Sequence, residues 1–231
     1  MRYMGERFQT TRWSLVIDTR NTGPESERAL NTLCQDYWRP LHHFAIHLGA
    51  SHADAEDYVQ GFFANAIRSE LFERADPTRG KLRTFLLTAF RRYIQDQWSK
   101  RNAQRRGGNL RQVIFDNLDE LPADTHEIFD REWGATVMEH TMDRLKERYT
   151  QEDKMVLYEH LQPYLAIPVP SGKMIGLATD CKLSESAAKV ALHRLRKRFG
   201  EALRAEVADT LPDGEDVEAE LQYLTSLLGS N

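Results

Sequence analysis

Between Lys81 and Gly108 the chain reads KLRTFLLTAFRRYIQDQWSKRNAQRRGG, which sets Lys81, Arg83, Arg91, Arg92, Lys100, Arg101, Arg105 and Arg106 against a single acid, Asp96. Phe85, Phe90, Tyr93 and Trp98 are interleaved among these cations. Cations attract phosphates, and flat rings give unpaired bases a surface to stack on, so the chemistry available here is capture of single-stranded nucleic acid. The formal charge of the whole chain is −4, so the positive charge is local. A solvated basic helix face is the competing explanation for any one such stretch, and the surrounding elements must decide.

At 100° per residue, Leu82, Phe85, Leu86, Ala89 and Tyr93 form the apolar stripe of an amphipathic helix, with Arg91, Arg92, Gln95 and Ser99 on the other side. Leu87, Ile94 and Trp98 form a second line that could meet a neighbouring helix. A loop, Ala75-Asp76-Pro77-Thr78-Arg79-Gly80, precedes this helix. Before the loop, Ser51 and Asp54 read as a capping box opening a helix whose acids Asp54, Glu56 and Asp57 suit the positive end of the macrodipole. Ala55, Tyr58, Val59, Phe62 and Ala66 are its expected buried stripe. Asp57, Gln60, Gly61, Ala64 and Arg68 are its expected outer face. An earlier helix from Glu25 to His47 steps through Ala29, Leu33, Tyr37 and Leu41, and Pro40 is expected to bend or break it. Residues 1–25 offer one short apolar run, Trp13 to Ile17.

Beyond Gly107-Gly108, residues 109–127 turn acidic around Pro122 and read as an interdomain linker. Helices are expected from about Phe129 to Arg148 and from Gln151 to Leu161, followed by an irregular insertion carrying Pro163, Pro168 and Pro170. Residues 173–183 read as a short helix and a turn. Ser184 then caps a long helix with Ala188, Leu192, Leu195 and Phe199 on the buried side. Ser186, Lys189, Val190, His193, Arg194 and Lys197 lie opposite. This order is that of a helix-turn-helix, whose second helix can enter a major groove. From Asp209 the chain has no Lys or Arg, and Val217, Leu221, Leu224 and Leu228 suggest a last amphipathic helix.

The 231 residues have 41% hydrophobic and 29% charged content, as in an ordinary soluble protein, with length for one large or two small domains. Cys34 and Cys181 form no disulfide framework and no CxxC. The N-terminus lacks an apolar signal segment and no apolar run reaches membrane-spanning length, so a cytoplasmic protein without membrane insertion is expected. His43 and His47 are spaced i, i+4, with His52, Asp54, Glu56 and Asp57 following, which leaves a metal-dependent helical enzyme as one alternative. There is no HExxH, Walker loop or GxSxG, and the acids are explained by helix-start electrostatics. No catalytic residue, metal or cofactor is therefore expected.

With both halves read, the chain resembles a bacterial RNA polymerase sigma factor of the extracytoplasmic-function type. Asp54-Ala55-Glu56-Asp57-Tyr58-Val59-Gln60-Gly61-Phe62-Phe63 is similar to that family's DAEDLVQEVF helix. Lys81 to Leu86 with its basic tail is similar to the FRTWL…RR helix. Ile175 to Ser184, followed by Ala188-Lys189 to Arg198, is similar to IAEILGIS…VKSRLHRARKRL. A subgroup with TTxWSxV, ADPxRG and KRGG motifs is closer still, matched by Thr10 to Val16, Ala75 to Gly80 and Arg105 to Gly108. Departures are Gly61 in place of an acid, Cys181 and Lys182 in place of a turn leucine and glycine, Gly176 in the scanning helix, the insertion at 163–170 and the acidic tail.

The resemblance implies an all-α protein of two helical domains joined by a flexible linker, the second a helix-turn-helix. Residues 1–108 would form the polymerase-docking and −10 domain, 109–128 the linker, 129–208 the −35 domain and 209–231 an extension. It implies a non-catalytic initiation factor whose partners are core RNA polymerase (β′ clamp and β flap) and promoter DNA, with an anti-sigma factor as a further candidate. Polymerase would meet Asp54, Asp57, Gln60, Gly61 and Ala64. Single-stranded −10 DNA would meet Arg79, Lys81, Arg83, Arg91, Arg92, Gln95, Trp98, Lys100 and Arg101. The −35 major groove would meet Ser184, Ser186, Lys189, Val190, His193, Arg194 and Lys197. A stand-alone helix-turn-helix regulator is the alternative; it explains residues 173–204 but not the basic aromatic helix of the first half. The acidic tail is either a solubilising cap or a mask folded over the basic face of the second domain.

Overall fold

The structure, a computed structural model, describes residues 12–21, 23–104, 123–212 and 214–229. The helices are α1 (Arg12–Asp18), α2 (Pro24–His47), α3 (His52–Arg68), α4 (Leu82–Gln104), α5 (Ala123–Gln151), α6 (Met155–Leu161), α7 (Lys173–Asp180), α8 (Glu185–Ala208) and α9 (Val217–Gly229). Short 3₁₀ turns at Leu71–Arg74 and Pro77–Arg79 join α3 to α4. Among the described residues there is no strand, so the chain is all-α, as the periodicity implies. The expected motif residues Thr10 and Thr11, the Arg105–Gly108 end and linker positions 109–122 lie outside the described residues, as does the side chain of Arg101.

The chain divides into two compact units, one of residues 1–135 with 208–231 and the other of residues 136–207. This differs from a boundary at 128/129. Residues 123–128, read as linker, form the first turns of α5, where Thr125 and Phe129 are buried. The acidic extension joins the first unit.

In the first unit, α2 packs on α1 and α3, and α3 on α4. Leu33, Tyr37, Leu41 and Phe44 of α2, Val59 and Phe62 of α3 and Leu82, Leu86, Phe90 and Ile94 of α4 are almost wholly buried. Phe90 meets Phe62 edge-on with ring centroids 5.2 Å apart, and Phe44 meets Phe129 of α5 at 6.5 Å. Pro40 does not break α2, which runs unbroken through it with Tyr37, Pro40, Leu41 and Phe44 all buried. Burial of those side chains offsets the roughly 3 kcal/mol that an interior proline costs. Ser51 Oγ accepts the Asp54 amide at 3.1 Å, so the expected cap of α3 is in place.

The second unit is held by Leu145 and Tyr149 of α5, Tyr158 and Leu161 of α6, Leu177 of α7, and Leu192 and Leu195 of α8. Arg196 donates to the carbonyls of Tyr164 (2.8 and 3.1 Å) and Ile167 (2.8 Å), which ties the proline-rich insertion to α8. Glu152, in the α5–α6 turn, accepts from Lys154 at 2.8 Å and Arg198 at 3.0 Å. α7 ends in a left-handed residue, Lys182 (φ 55°), with the Leu183 amide on the Ala178 carbonyl at 2.8 Å. That is a Schellman stop, a place where glycine ordinarily sits.

Candidate nucleic-acid interface

The loop before α4 is built by local hydrogen bonds. Asp76 accepts the Thr78 amide at 2.9 Å and the Thr78 hydroxyl at 2.7 Å. These two bonds, the hydroxyl's first, hold the Asp76 carboxyl below the usual carboxylate range. Arg20, between α1 and α2, reaches across to donate to the Ala75 carbonyl at 2.5 Å and the Phe72 carbonyl at 3.4 Å. Arg20 is therefore the residue that fixes the loop's entry. Its distance of 55 positions from Ala75 hid this from sequence reasoning.

α4 buries a different stripe from the one its spacing suggested. Leu82, Leu86, Leu87, Phe90 and Ile94 are at most 3% exposed, while Phe85, Ala89 and Tyr93 are only half-buried. The second apolar line wins because α4 must meet two sets of partners, α3 on one side and α5 on the other. Phe85, Ala89 and Tyr93 instead line a groove of about 1020 Å³ with Lys81, Arg83 and Arg92. Trp13 of α1, Phe62 of α3, Arg79 of the loop and Glu220 of α9 complete its wall. The groove thus holds rings and cations together, its rings Phe85 and Tyr93 coming from the stripe expected to be buried.

The cations split into two groups. Arg79, Arg92 and Lys100 are exposed. Arg83, expected to meet single-stranded DNA, is 4% exposed and sits at the centre of a buried ion-pair cluster. Its Nε donates to Asp130 Oδ1 at 2.9 Å, its Nη1 lies 2.6 Å from Glu220 Oε1, and its guanidinium stacks on Trp133 with 4.7 Å to the ring centroid. Burial acts against the Arg83 charge, and Asp130 and Glu220 outweigh it, so its pKa is raised. Lys81 is half-buried and donates to Glu220 Oε2 at 2.6 Å. Arg91 donates through Nη1 to His126 Nε2 at 3.2 Å. Burial and then the Arg91 charge push the His126 pKa down, which keeps the ring neutral and able to accept. Gln95 and Trp98 are half-buried.

On α3, Asp57, Gln60 and Ala64 are exposed and Asp54 and Gly61 half-exposed, so the five expected polymerase contacts share one accessible face. Gly61 has a packing reason. A Cβ built on it would overlap the hydroxyl of Tyr93, whose ring meets Phe62 at 5.9 Å. An acid there would expel Tyr93 from its place.

On α8, Ser184, Ser186, Lys189, Val190, His193, Arg194 and Lys197 are all exposed, opposite buried Ala188, Leu192 and Leu195. Ser184 Oγ accepts the Ala187 amide at 3.2 Å as the helix cap, and Lys189 pairs with Glu185 at 2.6 Å.

The acidic tail lies elsewhere than expected. Glu220, Leu224 and Leu227 of α9 are buried within the first unit, and Tyr223 donates to Asp130 Oδ2 at 2.7 Å. Burial, then the Asp130 bond, raises the Tyr223 pKa. The extension therefore covers cations of the first unit, which replaces the expected mask on the second. The signal was present as a carboxylate at Glu220, in line with Leu224 and Leu227 at i, i+4, i+7.

The histidines at the end of α2 and the start of α3 lie at the surface, with His43, His47 and His52 exposed. His42 lies 5.8 Å from His43 and 5.6 Å from His52 by ring centroids, and His43 Nδ1 is 2.9 Å from Glu132 Oε1. Among the described residues no group of three or more His, Cys, Asp or Glu side chains is arranged to hold a metal ion. No described helix is long and apolar enough to cross a membrane.

The first unit is thus an all-helical body with a cation- and ring-lined groove beside an exposed, acid-capped helix face. Residues 33–104 match the family model described as Sigma-70 region 2, a stretch running from Leu33 in α2 to Gln104 at the end of α4. No curated protein and no solved structure matches the chain significantly. Asp130, Trp133 and Glu220, which close the ion-pair centre around Arg83, fall outside the matched residues.

Proposed function

We propose that the chain is a cytoplasmic, non-enzymatic sigma factor of the extracytoplasmic-function type, which binds core RNA polymerase and directs it to promoters. The observation that carries this reading is the match of residues 33–104 to Sigma-70 region 2. That span contains both the exposed face of α3 and the groove-lining part of α4. Asp54, Asp57, Gln60, Gly61 and Ala64 would dock on the β′ clamp. Arg79, Arg92, Lys100 and Arg101, with the rings of Phe85, Tyr93 and Trp98, would take the melted −10 strand by phosphate pairing and stacking. Arg91 and Gln95 would line its path.

α7, its Lys182 turn and α8 support a helix-turn-helix reading of the second unit. There Ser184, Ser186, Lys189, Val190, His193, Arg194 and Lys197 would meet the −35 major groove and phosphates. The same domain would contact the β flap, and an anti-sigma factor is a candidate regulator of the whole.

Co-elution with core RNA polymerase tests the docking half of the reading. Wild type should co-elute, and Asp57→Arg with Gln60→Arg, both at exposed positions, should weaken the complex at least tenfold while leaving the melting temperature unchanged. Absence of any complex with the wild-type chain would refute it.

A further inference from the structure

Glu220 is placed unlike a surface acid in a solubilising tail. Its side chain is 3% exposed, and its carboxylate touches Lys81 Nζ at 2.6 Å and Arg83 Nη1 at 2.6 Å. With Asp130 on Arg83, the cluster contains two cations and two carboxylates and is electrically balanced. Lys and Arg bind a carboxylate and a phosphodiester through the same charge-assisted hydrogen bonds. Glu220 therefore stands where a backbone phosphate would stand, on the wall of the groove that Arg79 and Arg92 also line.

The element carrying Glu220 is suited to leaving as a unit. α9 has 13 residues, and an isolated helix of that length is marginal in water. Its apolar anchorage is modest, since Leu224 and Leu227 are buried but Tyr223 and Leu228 are 37% and 38% exposed. The chain reaches it through a turn with Gly214 in the left-handed region (φ 86°).

We propose that α9 is an intramolecular lock whose Glu220 carboxylate occupies a phosphate site formed by Lys81 and Arg83, and that single-stranded DNA competes with it. This rests on the proposed reading of the groove as the strand-binding face. Release removes one carboxylate, leaves Arg83 with Asp130, and gives the groove a surplus positive charge centred on Lys81. The lock thus weakens DNA binding by the closed chain and is opened by an anionic strand.

The test uses the full chain and a fluorescein-labelled oligothymidylate, with anisotropy titrations across a salt series. Glu220→Gln should bind more tightly than wild type, with a log–log salt slope steeper by about 0.7 for each additional phosphate neutralised. A second variant keeps every ion pair. Gly134 faces α9, where an added Cβ would lie 3.6 Å from Leu224 and 3.8 Å from Leu228. Gly134→Cys with Leu228→Cys, in a Cys34→Ser, Cys181→Ser background, would tether the helix when oxidised. The oxidised form should bind the oligonucleotide several-fold more weakly than its reduced form, because only the reduced form can populate the open state. Equal affinity of the two forms would overturn the lock, whatever Glu220→Gln does. Co-elution with core polymerase is measured in parallel. Its absence for the wild-type chain would count against the sigma reading alone, while oxidation-insensitive oligonucleotide binding counts against the lock alone.

Discussion

At the residue scale, side chains that the sequence presents as alike serve different purposes once their neighbours are known. Arg83 and Arg92 sit on one helix nine positions apart, yet one is buried between Asp130 and Glu220 and the other faces solvent. Nothing local separates them, because the acids that claim Arg83 are 47 and 137 residues away in sequence. Gly61 shows the converse, a departure from a family pattern that has a physical cause. Glycine inside a helix costs about 1 kcal/mol relative to alanine, and the Tyr93 hydroxyl occupies the space a Cβ would need. Gly61→Ala should therefore destabilise the first unit, by about 1–3 kcal/mol as overpacking does. Tyr93→Phe, which removes the nearest atom, should recover most of that loss in a double-mutant cycle measured by urea denaturation. A stabilising Gly61→Ala, as at an ordinary exposed helix site, would show that Tyr93 does not fix this position.

At the element scale, the caps of α3 and α8 and the buried stripes of α2, α3 and α8 were legible because their signals are local. Ser51 and Asp54 state where α3 begins, and Ala188, Leu192 and Leu195 state which side of α8 is buried. α4 was harder to read because two apolar lines compete on it, and the choice depends on α5, whose Phe129, Asp130 and Trp133 close over it. The placement of α9 was hidden for the same reason, with Glu220 meeting its partners only after the chain returns to the first unit. Two predictions belong here. Arg83→Ala should cost the first unit about 3–5 kcal/mol, since it strands Asp130 and Glu220 as buried charges near one another. Chemical denaturation measures it, and a loss below about 1 kcal/mol, as for a surface pair, would contradict the buried-centre assignment. In the second unit, hydrogen bonds from Lys154 first and then Arg198 hold the Glu152 carboxyl down from 4.5 to about 2. A depressed carboxylate contributes stability that is complete above the unfolded value near 4.5 and is lost as pH falls toward 2. Because the side chain is 26% exposed and screened by solvent, that contribution is about 1 kcal/mol. Glu152→Gln should flatten acid unfolding of this unit between those values, and an unchanged acid profile would show Lys154 and Arg198 to be incidental neighbours.

At the scale of the whole molecule, the charge of −4 and the local basic groove fit together once α9 is placed. On the proposed reading, a factor that engages DNA on polymerase gains from weak binding while free, and α9, with Glu220 on Lys81 and Arg83, would supply that weakness. The measurement that bears most directly on the proposed function is in vitro transcription with core RNA polymerase on a pool of promoter fragments, comparing wild type with Arg92→Ala, Lys100→Ala. Specific transcripts that require the protein, and that fall at least tenfold in the variant while core binding persists, are the expected result. Sequence-specific binding of duplex DNA by the free chain, with no polymerase association and no transcripts, would contradict the account and make the chain a stand-alone regulator.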